Sequence, residues 1–217
     1  GARWYSIECA RSITAWGRYY IKDVIRKAEE TKLNVIYSDT DSIFIVLDGK
    51  TKYDAEKFAE SVNAELPELM ELEYEGFYPA GIFVSAKIGL FGAKKKYALM
   101  SEQGTLKIKG FETVRRNWSL VAKDAQENVL DIILRENDTK KALTYVRNVI
   151  SDLRDKKIPM DKVIIHTQLQ KEILDYANKG PHVAVAQRLK NKGRTIGAGS
   201  MIKYIVNQGS DMIRNRS

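Results

Sequence analysis

Two aspartates one residue apart, Asp39 and Asp41, lie in the hexapeptide Tyr37-Ser38-Asp39-Thr40-Asp41-Ser42. Its flanks, Val35-Ile36 and Ile43-Phe44-Ile45, are β-branched or aromatic, so the segment reads as strand, tight turn, strand. Carboxylates set against apolar strands are costly unless something pairs with them. Residues i and i+2 of an extended chain point to one side, so Asp39 and Asp41 are expected to face one small volume. Their repulsion there calls for a cation. Oxygen donors suit Mg2+ or Mn2+, and Mg2+ commonly takes one or two carboxylates together with substrate phosphates. Two other readings stand beside this one. Asp, Ser and Thr build ordinary polar turns, and Asp-x-Asp also serves nucleotide-sugar transferases.

A second group of residues is cationic. Lys94, Lys95 and Lys96 run directly into Tyr97, and Lys107, Lys109, Arg115 and Arg116 follow; Lys190, Lys192 and Arg194 form a separate patch. Such groups track phosphates and reach acceptors that base pairs present in the minor groove. The balance of charge agrees: residues 1–86 hold 10 Lys and Arg against 15 Asp and Glu, whereas residues 87–217 hold 26 against 13. An acidic half suited to cations is thus joined to a basic half suited to a phosphate-rich polymer.

The elements that must position these groups are legible in outline. Apolar residues Ile13, Trp16, Tyr20 and Val24 recur at three and four, predicting a helix from about Trp4 to Glu30. A second helix is expected over Tyr53–Leu66, with Ala55, Phe58, Ala59 and Val62 inward, and extended chain over Leu72–Ala86. Lys96–Met100 and Thr105–Lys109, joined by Glu102-Gln103-Gly104, read as a hairpin. Thereafter the pattern is mainly helical. One helix runs from an Asn117 cap to about Arg135, with Val121, Ala125, Val129 and Ile132 inward. Another is capped by Asp138 or Thr139, and shorter ones cover Leu169–Ala177 and Val183–Lys190 with Pro181 near the start of the last. Lys203–Val206 is expected to be a strand.

Composition excludes several classes. At 217 residues with 44% hydrophobic and 29% charged residues, the chain has the make-up of one or two globular domains. The single Cys9, expected to pack as a small core residue, rules out an internal disulfide framework and a multi-cysteine zinc site. The longest apolar run, Ile43–Leu47, is far too short to cross a membrane. The absence of a basic-then-apolar leader suggests a cytoplasmic setting. The chain opens on Gly1 already in the run-in to a helix, which reads as a processed or truncated piece. His166 and His182 lack metal spacing, and Gly49-Lys50-Thr51 lacks the earlier glycine of a phosphate loop.

The hexapeptide resembles the Tyr-Gly-Asp-Thr-Asp-Ser signature of family B DNA polymerases, with Ser38 where the family has Gly. Other segments follow in the family's order. Gly1-Ala2-Arg3-Trp4-Tyr5-Ser6 and Ala15-Trp16-Gly17-Arg18 resemble the helix after the nucleotide-binding motif. Leu72-Glu73-Tyr74-Glu75-Gly76-Phe77-Tyr78 resembles the strand behind the active site, and Lys94-Lys95-Lys96-Tyr97-Ala98 the basic motif on new duplex. Lys109-Gly110-Phe111-Glu112 and Val114-Arg115-Arg116-Asn117-Trp118-Ser119 resemble the approach to the thumb, and Gly180-Pro181-His182-Val183-Ala184-Val185-Ala186 the archaeal thumb.

The resemblance implies an α+β fold: the end of an antiparallel-sheet polymerase palm over residues 1–92, followed by a mainly helical thumb over 93–217. It implies a two-metal site for Mg2+, or Mn2+, with Asp41 a direct ligand, Asp39 a weaker ligand or orienting group, and Glu75 holding an additional metal. Tyr37, Thr40 and Ser42 would support the turn. Lys94, Lys95, Lys96, Tyr97, Lys107, Lys109, Arg115, Arg116, Lys190, Lys192 and Arg194 would bind primer–template duplex DNA. Deoxynucleoside triphosphates are the implied substrates, and the nucleoid the implied location. The family's upstream carboxylate motif and nucleotide-gripping Lys helix do not occur in this sequence. The expectation is therefore the small C-terminal polypeptide of a split archaeal polymerase, inactive without a large N-terminal companion against which the first helix packs. The match stops short of the family's usual end, which implies that a tail for a sliding clamp is absent. The alternative is a non-catalytic duplex-binding module from an inactivated paralogue, for which Ser38 gives some footing.

Overall fold

The computed structural model describes residues 3–85, 92–209 and 212–216. Elements follow in the order α1 (Ile7–Glu30), β1 (Asn34–Asp39), β2 (Ser42–Val46), α2 (Lys52–Asn63), β3 (Ala80–Ser85), β4 (Gly92–Met100) and β5 (Leu106–Lys109). After a short 3-10 turn, Glu112–Val114, come α3 (Leu120–Glu136), α4 (Thr139–Arg154), α5 (Met160–Val163) and β6 (Ile165–Gln168). A second 3-10 turn, Ile173–Asp175, precedes α6 (Pro181–Asn191), β7 (Met201–Tyr204) and α7 (Ile213–Arg216). The sheets are small: β1-β2, β3-β4-β5 and β6-β7. The chain divides into two compact units, one of Gly1–Pro79, Phe83–Lys96 and Ser101–Gln103, the other of Ala80–Ile82, Tyr97–Met100 and Gly104–Ser217.

In the first unit, Val24 and Ala28 of α1, Leu33, and Phe58 and Val62 of α2 form a buried core, against which Val35, Ile43, Ile45, Leu66 and Leu72 pack. The α2 start is fixed by a capping box in which the Thr51 hydroxyl accepts from Asp54 N–H and the Asp54 carboxylate accepts from Thr51 N–H. Lys27 reaches Asp23 and Glu65, at 3.1 and 2.9 Å, and ties α1 to the segment after α2. The predicted stripe of α1 divides sharply. Val24 is buried and Tyr20 half-buried, but Ile13 and Trp16 are 71 and 59% exposed, as are Tyr19 beside them at 61% and Trp4 before them at 87%. Cys9 on the same stretch is exposed rather than packed in a core.

The extended chain expected over Leu72–Ala86 is a strand only from Ala80 to Ser85. Residues 72–78 form no strand; at their start the Leu72 N–H donates to Asn63 Oδ1 at 2.6 Å and the Leu72 carbonyl accepts from Asn63 Nδ2 at 3.0 Å. The side-chain amide satisfies the groups that a neighbouring strand would have taken.

In the second unit, β4 and β5 pair antiparallel in the register Tyr97↔Lys109, Ala98↔Ile108, Leu99↔Lys107 and Met100↔Leu106. The N-cap of α3 is Ser119, not Asn117. Residues before it fold back instead: Gln126 accepts from Thr113 N–H and donates to Glu112, at 3.0 and 2.9 Å, so that stretch is held as a loop. The deepest residues of α3 are accordingly Leu130 and Leu134 rather than the predicted four, which are half-buried. Asp138 caps α4 by accepting from Lys141 N–H at 2.9 Å. The helix expected over Leu169–Ala177 is only the 3-10 turn, because its apolar residues are spent on a second core of Leu169, Ile173, Val183, Ala186 and Ile202. The last strand is Met201–Tyr204, paired with Ile165–Gln168, which sequence reading did not place. Pro181 sits at the start of α6 as expected. Burial holds the His182 imidazole below its ordinary pKa, with Tyr176 edge-on at 5.7 Å.

Candidate metal-binding turn and nucleic-acid interface

The hairpin of β1 and β2 brings the acidic tripeptide to its tip. Its register pairs Val35 with Ile45, Tyr37 with Phe44, Ser38 with Ile43 and Asp39 with Ser42, so Ile36 is an extra residue, a β-bulge. The bulge changes the phase of β1. Val35 and Ile45 pack on the helical core, whereas Tyr37 and Phe44 turn their rings to Phe83, with centroids 5.2–5.8 Å apart among the three. Asp39, two residues beyond Tyr37, follows it onto that face and is half-buried there.

The turn itself is Thr40-Asp41. Asp41 N–H donates to the Asp39 carbonyl at 2.8 Å, and Thr40 at the centre has φ +60°, a γ-turn in a conformation rare for a β-branched residue. Ser42 Oγ donates to the same carbonyl at 3.2 Å, and Thr40 Oγ1 donates to Asp39 Oδ1 at 3.2 Å. The expectation that Asp39 and Asp41 lie two apart on extended chain is therefore corrected. Extension stops at Asp39, and Asp41 projects from the turn, exposed.

Lys95 of β4 completes the arrangement. Its Nζ lies 3.1 Å from Asp39 Oδ2, its backbone N–H donates to the Tyr37 hydroxyl at 2.6 Å, and its φ is +60°. Sequence reading grouped Lys95 with the duplex-binding lysines and had no signal for this contact, which spans a fold-dependent separation. The donors at the tip are carboxylate oxygens, and one already holds a cation in the form of the Lys95 ammonium; both facts fit a divalent cation such as Mg2+. Among the described residues no group of three or more His, Cys, Asp or Glu side chains could hold a metal. Glu75 is exposed on the irregular stretch before β3.

The remaining basic residues are placed as follows. Cross-strand pairing puts Tyr97, Lys107 and Lys109 on one face of the β4–β5 ladder. Lys96 is half-buried, and the side chain of Lys94 lies outside the described residues. Arg115 and Arg116 are exposed just after the first 3-10 turn, and Lys190, Lys192 and Arg194 are exposed at the C-terminal end of α6 and beyond it. Among the described residues no helix is long and apolar enough to cross a membrane.

Comparison with known proteins decides the family. The family described as DNA polymerase family B matches residues 1–217. This chain belongs to DNA polymerase family B. It is 44% identical over 221 residues to the DNA polymerase of Thermococcus kodakarensis, covering 100% of this chain and 13% of that protein. It is equally 44% identical to the DNA polymerase of Thermococcus sp. strain 9oN-7, of which it spans 28%. Among solved structures, the family B DNA polymerase from the hyperthermophilic archaeon Pyrobaculum calidifontis matches with a TM-score of 0.66 and 32% identity, over 100% of this chain and 26% of that one. The mixed helices and small antiparallel sheets are thus those of a family B polymerase fragment, and the chain spans between 13 and 28% of the length of these relatives.

Proposed function

We propose that this chain is the palm-end and thumb portion of a template-directed DNA polymerase, residues 1–92 closing the palm and residues 93–217 forming the thumb. The observation that carries the reading is the hairpin tip: a strained turn that sets one carboxylate half-buried beside an ammonium and projects a second, Asp41, into solvent. Two carboxylates alone make a partial cage. We therefore assign the remaining carboxylate and the nucleotide-gripping helix to a companion polypeptide, which the bare apolar face of α1 is suited to meet.

When bound, Mg2+, or Mn2+ in its place, supplies the Lewis acidity that activates the attacking 3′-hydroxyl and neutralises the leaving pyrophosphate. On this chain Asp41 is the direct ligand and Asp39 the weaker or orienting one. Thr40 and Ser42 hold the Asp39 carbonyl and carboxylate in place, and Tyr37 anchors the strand below. Glu75 is assigned an additional metal contact. The face carrying Tyr97, Lys107 and Lys109, with Lys94, Lys95, Lys96, Arg115, Arg116, Lys190, Lys192 and Arg194, grips primer–template duplex through its phosphates and minor groove, with deoxynucleoside triphosphates as substrates and the nucleoid as the place of action.

The test is primer extension by the chain alone and then with its large companion. Extension is expected only from the pair, and robust extension by the isolated chain would refute the need for a partner. Within the pair, Asp41→Asn is expected to lower the rate on the order of a hundredfold or more, because Lewis-acid stabilisation is worth several kcal/mol. Unchanged extension would leave the chain a duplex-binding module without a catalytic turn.

A further inference from the structure

Helix α4 carries more apolar surface than its packing on α3 uses. Its inner side is Ala142, buried, with Tyr145 and Val149, which line a groove together with Val121 and Asp124 of α3. A second apolar stripe runs along its shoulder through Leu143, Val146, Ile150 and Leu153. Leu143, Ile150 and Leu153 are 51, 42 and 41% exposed, and Val146 is half-buried. Steps of three, four and three are those of the a/d seam of a coiled coil, and this seam runs for about 15 Å. Single exposed apolar residues are ordinary, but an aligned row of them marks a contact surface. Beside the seam stand Lys140, Arg147 and Arg154, seven residues apart and all exposed. They occupy the flanking position at which coiled coils place the charges that select a partner. Neighbouring cations are spent inside the chain, Arg135 on Asp131 at 3.0 Å and Lys141 on Glu136 at 2.6 Å. Among the described residues the three flanking cations have no such carboxylate.

Charge and apolarity together choose the occupant. A nucleic-acid backbone would use the cations and leave the seam in water. A second copy of α4 laid antiparallel would set the basic row against itself. A helix with an apolar seam and carboxylates beside it satisfies both features at once. We propose that the Leu143–Leu153 shoulder of α4 is a docking site for an acidic amphipathic helix of another protein, which packs Leu or Ile side chains along the seam and sets Glu or Asp against Lys140, Arg147 and Arg154. Four seam residues make a small interface, so the contact is an exchangeable one that weakens with salt. The site lies on the second unit, apart from the acidic turn and from α1, and stands whether or not this chain needs a companion for catalysis.

The test is fluorescence anisotropy of a labelled peptide of about three heptads, Leu at a and d and Glu at e and g, titrated with the full 217-residue chain. Repulsion among its Glu side chains keeps the free peptide from pairing with itself. A peptide of the same composition in scrambled order is expected to bind at least tenfold more weakly. Ile150→Glu is expected to weaken the seam peptide at least tenfold, and the milder Ile150→Ala about threefold, both at exposed sites that leave the fold intact. The double variant Arg147→Glu with Arg154→Glu is expected to lose about tenfold for the Glu peptide and to gain about as much for a peptide with Lys at e and g. Trp16→Arg, on the other exposed apolar face, is expected to change nothing. Equal binding of the scrambled peptide would reduce the site to general attraction of anions and overturn the proposal, as would failure of the charge reversal to switch peptide preference. Loss of binding in Trp16→Arg but not in Ile150→Glu would move the site to α1. Sedimentation showing a dimer of the native chain that Ile150→Glu dissolves would make the shoulder a contact between two copies, and displacement of the seam peptide by duplex DNA from the native chain but not from Arg147→Glu with Arg154→Glu would give it to nucleic acid; either result refutes the helix-docking reading.

Discussion

Thr40 carries the local cost of the turn. A β-branched residue at φ +60° is a conformational outlier, worth about 1–3 kcal/mol of strain. The strain persists because the Asp39 carbonyl receives both the Asp41 N–H and the Ser42 hydroxyl, which together over-determine the backbone. Thr40→Gly, which tolerates this φ, is expected to raise stability by about 1 kcal/mol in urea denaturation while slowing extension, since Asp41 loses its fixed direction. Thr40→Ala keeps the Cβ and is expected to bring no such gain. At this scale the sequence was informative about which residues matter and less so about how they meet. The hexapeptide announced its acids and its turn. The geometry between Asp39 and Asp41 was misjudged because an i, i+2 rule holds only where the chain stays extended, and here it bends after Asp39. The partnership of Asp39 with Lys95 had no local signature, since it depends on how β4 returns to β1 across 58 positions at Tyr37.

Elements were legible where a periodic apolar stripe met a capping residue, as in α2 with Thr51 and α4 with Asp138. They were not legible where a side chain took over a backbone partner. Asn63 occupies Leu72, and Gln126 holds the loop before α3; neither long-range amide is visible in a window of neighbouring residues. The bulge at Ile36 is equally silent in sequence, although it decides which face Asp39 uses. In the second core, α6 presents His182 beside Val183, which is fully buried. Burial disfavours the charged imidazole, so the folded chain binds fewer protons than the unfolded chain just below the unfolded pKa of about 6.5. Stability therefore rises with pH through this window and falls as pH drops below it. Chemical denaturation between about pH 5 and 7 is expected to show that slope, and His182→Gln to flatten it.

Across the whole molecule the charge asymmetry, 26 Lys and Arg against 13 Asp and Glu after residue 86, makes a prediction about solution behaviour. Duplex affinity of the assembled enzyme is expected to fall steeply with salt, by a log–log slope of about 0.9 per phosphate neutralised, and Arg115→Ala or Lys107→Ala is expected to reduce that slope by about one. A shallow slope in the native protein would remove this surface from the duplex interface. The apolar face of α1 makes the other: Trp16→Arg is expected to abolish co-purification with the proposed companion while leaving the urea midpoint of the chain nearly unchanged, because Trp16 is 59% exposed and outside the core. The same helix has a consequence for how assembly proceeds. Its second half is anchored by Val24 and Ala28, whereas Ile13 and Trp16 in its first turns are exposed, and those turns contain Gly17. An unsupported helical stretch this short is marginal in water, and glycine weakens it further. If the proposed companion closes on this face, its binding would also steady these first turns, and the net strength of the joint would be what remains after that ordering.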